Sequence, residues 1–135
     1  MAFTGREPSP NAIHRNPIVE FSEIEDTPNL EGRTRTLRGE WSEQTLDWWG
    51  MVREMPHTKL WAESDWSFAA DTAHLKEAFY NGTASKSELT EMRIREDNLG
   101  VTMEARRKLR IRYVKPRQET KATVTTLWSV PDEEV

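Results

Sequence analysis

Seven cations fall between residues 106 and 117: Arg106, Arg107, Lys108, Arg110, Arg112, Lys115 and Arg117. Guanidinium and ammonium groups at this density can neutralise a row of phosphates, so nucleic acid is the first partner to consider. A solvated helix face is the plainer alternative. Other chemistry finds less support. His14, His57 and His74 show no metal-ligand spacing, and there is no phosphate loop of the GxxxxGK[ST] type and no GxSxG elbow. Asp65, Asp71, Glu96 and Asp97 could in principle meet at a two-metal site, but their spacing does not set them apart from a solvated surface. Cysteine is absent, which removes thiolate ligands and disulfides. No catalytic residue, metal or cofactor is assigned.

The basic run stands out because the rest of the chain is acidic. The 135 residues carry a net charge of -4, yet residues 101–120 alone sum to +5 and residues 42–100 to -5. An overall acidic balance therefore says little about nucleic-acid binding, since the local field at the run is positive. Hydrophobic content is 36% and charged content 31%. A chain of this size and composition makes one domain with a modest core, which oligomerisation could enlarge. No apolar run reaches the ~20 residues of a membrane helix. Residues 1–16 lack the apolar centre of a secretory signal, so a soluble protein that is not secreted is expected.

The elements that must position the cations are helical. Ser42 can cap a helix to about Met55, where Pro56 stops it. Ser64 or Asp65 can open a second helix to about Tyr80, with Asn81-Gly82 as its exit. Ser85 and Glu88 have capping-box spacing for a third helix, which Gly100 ends. Thr102 can cap a fourth, basic helix that fades by Val114, with Ala105, Leu109 and Tyr113 facing the core. Before this core lie four of the seven prolines and a glycine-bounded basic patch, Gly32 to Gly39. After it, Lys121 to Val130 has strand-like composition and is followed by the acidic Asp132, Glu133 and Glu134. The expected fold is all-α: a compact bundle of about four helices, with an extended N-terminal arm and an irregular or short-strand C-terminal tail. The arm spans residues 1–40, the helical core and oligomerisation domain 41–114, and the tail 115–135.

The second helix is apolar on two faces. Trp66, Ala69, Ala70 and Ala73 lie on one side, with Phe68, Thr72, Leu75 and Phe79 roughly opposite. Such a helix is sandwiched between neighbours. Periodicity leaves open whether both neighbours belong to the same chain or one belongs to another subunit. Trp41, Trp48, Trp49, Trp61 and Trp66 cluster beside Leu46, Val52 and Phe68, which favours a core role over base stacking on exposed indoles.

The order of these features resembles the small terminase subunit of tailed bacteriophages, of the type common in actinobacteriophages. Four stretches carry the resemblance. They are the opening GREPSPNAIHRN, the tryptophan pair in WSEQTLDWWGMV, the Asp-Trp helix start in LWAESDWSFAADTA, and the turn and basic helix in LGVTMEARRKLRIRY. It covers about residues 5–114; His14 departs from it, standing where an arginine is common.

The resemblance implies a non-enzymatic DNA-packaging component. Such a subunit assembles as a ring, binds the packaging site on double-stranded viral DNA, and recruits and regulates the large terminase subunit that carries the ATPase and the nuclease. It would work in the host cytoplasm during virion assembly. On this reading Arg106, Arg107, Lys108, Arg110 and Arg112 supply phosphate contacts, together with Arg33, Arg35 and Arg38 of the arm. Trp66, Ala69, Ala70 and Ala73 form the subunit contact. No helix-turn-helix reading helix is visible. A small dimeric DNA-binding transcriptional regulator and a DNA-free interaction module are the alternatives.

Overall fold

The computed structural model describes residues 20–117. Its elements run β1 (Ser22–Glu25), a 3₁₀ turn at Glu31–Thr34, α1 (Glu43–Val52), a 3₁₀ helix at Pro56–Leu60, α2 (Glu63–Tyr80), α3 (Lys86–Leu99), α4 (Met103–Lys108) and β2 (Ile111–Val114). The fold is mainly helical, with one two-stranded parallel sheet.

Local chemistry sets the helix ends. The Ser42, Ser85 and Thr102 side chains each accept a hydrogen bond from a backbone N–H of the first turn. Glu88 returns the bond to Ser85, completing the capping box. α2 starts one residue earlier than Ser64, and Asp65 secures it by accepting from the Ala62 N–H at 2.9 Å. Gly100 closes α3 in the left-handed region at φ 70°, and Gly82 turns the chain after α2 at φ 71°.

Both neighbours of α2 belong to its own chain: it lies between α1 and α3. Trp48, Trp49, Val52, Met55, Trp66, Ala69, Ala73 and Leu99 form the core, with Trp41 and Trp61 half-buried against it. The expected subunit contact falls on this cluster. Trp66, Ala69 and Ala73 are buried inside the protomer, and Ala70 is half-buried against the same cluster. The small side chains serve close helix packing within one copy. Lys76 is also buried on α2. Its ammonium meets Glu96 at 3.3 Å and lies within 6 Å of the Trp48, Phe79 and Tyr80 rings.

The arm reading does not extend to residues 20–40, which pack on the helices. Asn29 is buried; its amide donates to Thr58 Oγ1 at 2.8 Å and its backbone N–H to the Glu54 carbonyl at 2.9 Å. Gly32 sits so close to α1's end that a Cβ would fall 1.8 Å from the Arg53 carbonyl oxygen. The Arg35 carbonyl accepts from Trp49 Nε1 and Arg53 Nη1. Glycine and backbone polarity make this strap, and neither shows in an apolar periodicity. The expected basic helix is also shorter than read: α4 ends at Lys108, and Ile111–Val114 pairs with Ser22–Glu25 as β2. β-branched Ile111 and Val114 suit a strand, and Tyr113 flanks them. Residues 1–19 and the strand-like stretch 121–130 lie outside the described residues.

Candidate nucleic-acid interface

The cations of the basic run are held by a buried joint where α3, α4, β2 and the Pro56–Leu60 helix meet. His57 is at its centre. Its Nε2–H donates to the Leu99 carbonyl at 2.7 Å, because a carbonyl can only accept. That choice leaves Nδ1 as acceptor for the Tyr113 hydroxyl at 2.5 Å. Burial holds the imidazole below its ordinary pKa; the Leu99 carbonyl opposes this, and the nearby Arg106 charge adds to it. Burial likewise pushes the Tyr113 phenol up. Gly100 is required here twice over: its φ is positive, and a Cβ would lie 2.9 Å from His57 Nε2. Spacing gave no role to His57, because its partners are 42 and 56 residues away.

Around this joint the five cations of the run expected to contact phosphate divide. Arg106 turns inward. Its Nη1 donates to the Gly100 and Val101 carbonyls at 3.1 and 3.0 Å, and its guanidinium lies 4.7 Å from the Tyr113 ring centre. It satisfies carbonyls orphaned at the end of α3. Arg106, expected to contact phosphate, has a structural role here. Arg107, Lys108, Arg110 and Arg112 are all exposed. Arg107 meets Glu104 at 3.2 Å, and Arg112 lies over the Phe21 ring with Glu23 3.9 Å away. These pairs are open to water and weak. Lys108 and Arg110 have no carboxylate within 4.0 Å among the described residues.

Arg110 has an unusual backbone. It is the one non-glycine residue at positive φ among the described residues, at 59°. It follows the C-cap Leu109, where glycine is the usual choice. The left-handed turn ends α4 and lets the next residue enter the sheet. It also exposes Leu109, which the helical reading had placed toward the core.

The arginines of the Gly32–Gly39 patch divide in the same way. Arg33 Nε meets Glu54 at 2.5 Å. Arg35 grips Glu63 with two donors and lies 4.9 Å from the Trp66 ring centre. The guanidinium holds the Glu63 carboxyl below the usual carboxylate range. Arg38 is exposed and has no carboxylate within 4.0 Å among the described residues. Of the eight expected phosphate contacts, Arg33, Arg35 and Arg106 are engaged with the fold, while the other five present charge to solvent.

Among the described residues no three histidine, aspartate or glutamate side chains gather into a metal site, and no helix is long and apolar enough to cross a membrane. A family model described as phage terminase small subunit matches residues 8–132. The match reaches past Val114 into the tail, where the sequence alone offered no resemblance. No curated protein and no solved structure matches the chain.

Proposed function

Since the chain belongs to the phage terminase small subunit family, with its general role in packaging phage DNA, we propose that it is a non-catalytic packaging subunit that grips double-stranded viral DNA through the exposed cations following α3. The observation that carries this reading is the outward run Arg107, Lys108, Arg110 and Arg112, continued by exposed Lys115 and Arg117, on an otherwise acidic chain. Arg38 is a further candidate. Cations free of carboxylates lose no ion pair on meeting phosphate, so Lys108 and Arg110 carry the most weight. Phosphate contacts fix position without reading sequence, so the packaging site is chosen through DNA shape or through residues outside this set.

Recruitment of the large terminase subunit, in the host cytoplasm, follows from the same reading, as does assembly into a ring. The ring contact moves away from the Ala69–Ala73 face to exposed apolar side chains elsewhere; Leu46, Met51, Phe79 and Ile94 are candidates. Local positive charge repeated around a ring would strengthen the field felt by DNA.

The test is the triple change Arg107→Ala, Lys108→Ala and Arg112→Ala in the full chain, titrated with packaging-site and random DNA at several salt concentrations. The salt slope should fall by about 0.9 per phosphate contact removed, and equally for both DNAs. An unchanged affinity and slope in a folded, assembled variant would remove Arg107, Lys108 and Arg112 from the reading and leave Arg110 to be tested by itself. Native mass spectrometry of the same samples separates a ring from a two-fold dimer.

A further inference from the structure

Leu109 is a large apolar side chain in the middle of the basic run, and 44% of it is exposed. Because α4 ends at Lys108 and β2 begins at Ile111, Leu109 and Arg110 form a two-residue corner between them. Hydrogen bonds hold this corner from both sides. The Leu109 N–H donates to the Ala105 carbonyl at 3.0 Å and the Arg110 N–H to the Arg107 carbonyl at 3.1 Å. The Arg110 carbonyl accepts from the Ser22 N–H at 2.8 Å, which ties the corner to β1. Tyr113, three residues on, is bound to the buried His57. Leu109 is therefore presented by a braced turn, with Arg110 at φ 59°.

Cations stand on either side of it. Lys108 precedes Leu109 and Arg110 follows, and neither meets a carboxylate within 4.0 Å among the described residues. Ile94, also exposed, stands between Arg93 and Arg95, but Arg95 pairs with Glu91 at 2.9 Å and lies over the Phe68 ring. A symmetric contact between two copies through Leu109 would bring two basic runs together, and like charges repel.

A DNA duplex offers apolar surface of its own, the faces of its stacked bases, wherever a step opens. An apolar side chain that enters such a step kinks the duplex by about 20–90°. Cations beside it neutralise the flanking phosphates. Pyrimidine–purine steps open most readily. Resting on the reading that the basic run grips DNA, we propose that Leu109 is a wedge that enters an opened base step, with Lys108 and Arg110 on the phosphates to either side. The wedge adds a selectivity that phosphate contacts lack. Sites with an easily opened step are held in preference to stiff ones, with no hydrogen bond to a base edge.

The test uses the full-length protein and two short duplexes of one sequence, end-labelled for energy transfer. One is fully paired; the other has a single T·T mismatch at its centre, which lowers the cost of unstacking. The wild type should bind the mismatched duplex at least about fivefold more tightly and draw its ends together. Leu109→Ala should bind the two duplexes within about twofold of each other, lose most of the bend, and keep the wild-type salt slope, since no charge is removed. Leu109→Phe, still a wedge, should keep both preference and bend. A preference or bend that survives Leu109→Ala, or a wild type without preference, would overturn the wedge and leave the phosphate grip standing. Wild-type binding that is absent or insensitive to salt would overturn the grip, and the wedge with it. Native mass spectrometry of Leu109→Ala completes the test: a lost assembly would make Leu109 a contact between copies and overturn the proposal.

Discussion

Arg110→Gly should stabilise the protein and weaken its hold on DNA at the same time. Arg110 sits at φ 59°, immediately after the C-cap of α4, with its N–H donating to the Arg107 carbonyl at 3.1 Å. An L side chain in the left-handed region costs about 1 kcal/mol relative to glycine. Its guanidinium meets no carboxylate within 4.0 Å among the described residues, so no ion pair is lost on replacement. The relieved strain should raise the melting temperature by ~4 °C for a domain of this size. On DNA, loss of one phosphate contact lowers the salt slope by about 0.9. Between 50 and 200 mM salt, the ratio of wild-type to variant affinity should then shrink about 3.5-fold. Calorimetry reads the first effect and fluorescence anisotropy across the salt series the second. A higher melting temperature with unchanged affinity and slope would show that the strained arginine does not touch phosphate. A lower melting temperature would refute the strain argument itself.

Three further outcomes follow from the geometry. Arg106→Ala strips two carbonyl bonds and the packing on Tyr113; it should cost about 1–3 kcal/mol in urea unfolding and leave the salt slope intact, and a reduced slope would return Arg106 to the DNA contacts. Ala73→Glu buries an unpaired carboxylate at a position with 0% exposure and should unfold the chain by circular dichroism, whereas the half-buried Ala70→Glu should leave a folded protein; equal tolerance of both would put this face back at the surface. His57 has its folded pKa below the ordinary 6.5, so the unfolded chain binds the proton first: its contribution is complete above about pH 6.5 and declines as pH falls toward the folded value, with a slope of up to about 1.4 kcal/mol per pH unit. Urea unfolding between pH 7.5 and 5 checks the sign, and in His57→Gln this component of the slope should vanish.

Four of the helix ends were determined by the sequence alone: the starts of α1, α3 and α4 and the end of α3. Ser42, Ser85 with Glu88, Gly100 and Thr102 act through bonds to backbone within a few residues, so their roles are written in local order. The tryptophan-rich core and the two-sided packing of α2 were legible for a related reason: helical period and side-chain size mark what must be buried, whatever the partner. The identity of the partner was not legible. Only the tertiary structure decided that α2 lies between α1 and α3 of the same chain, with Trp66, Ala69 and Ala73 buried among them. It decided as well which arginines are available. Arg106 and Arg107 are adjacent in sequence and chemically identical. One fills carbonyls at the α3 end and the other faces water, because the left-handed turn at Gly100 sets the course of the chain. The strap at Asn29–Arg35 and the pairing of β1 with β2 depend on contacts between residues 14 to 89 positions apart. Local propensity carries no record of such contacts. The basic run thus marked the surface, and the fold around His57 selected the side chains that reach it.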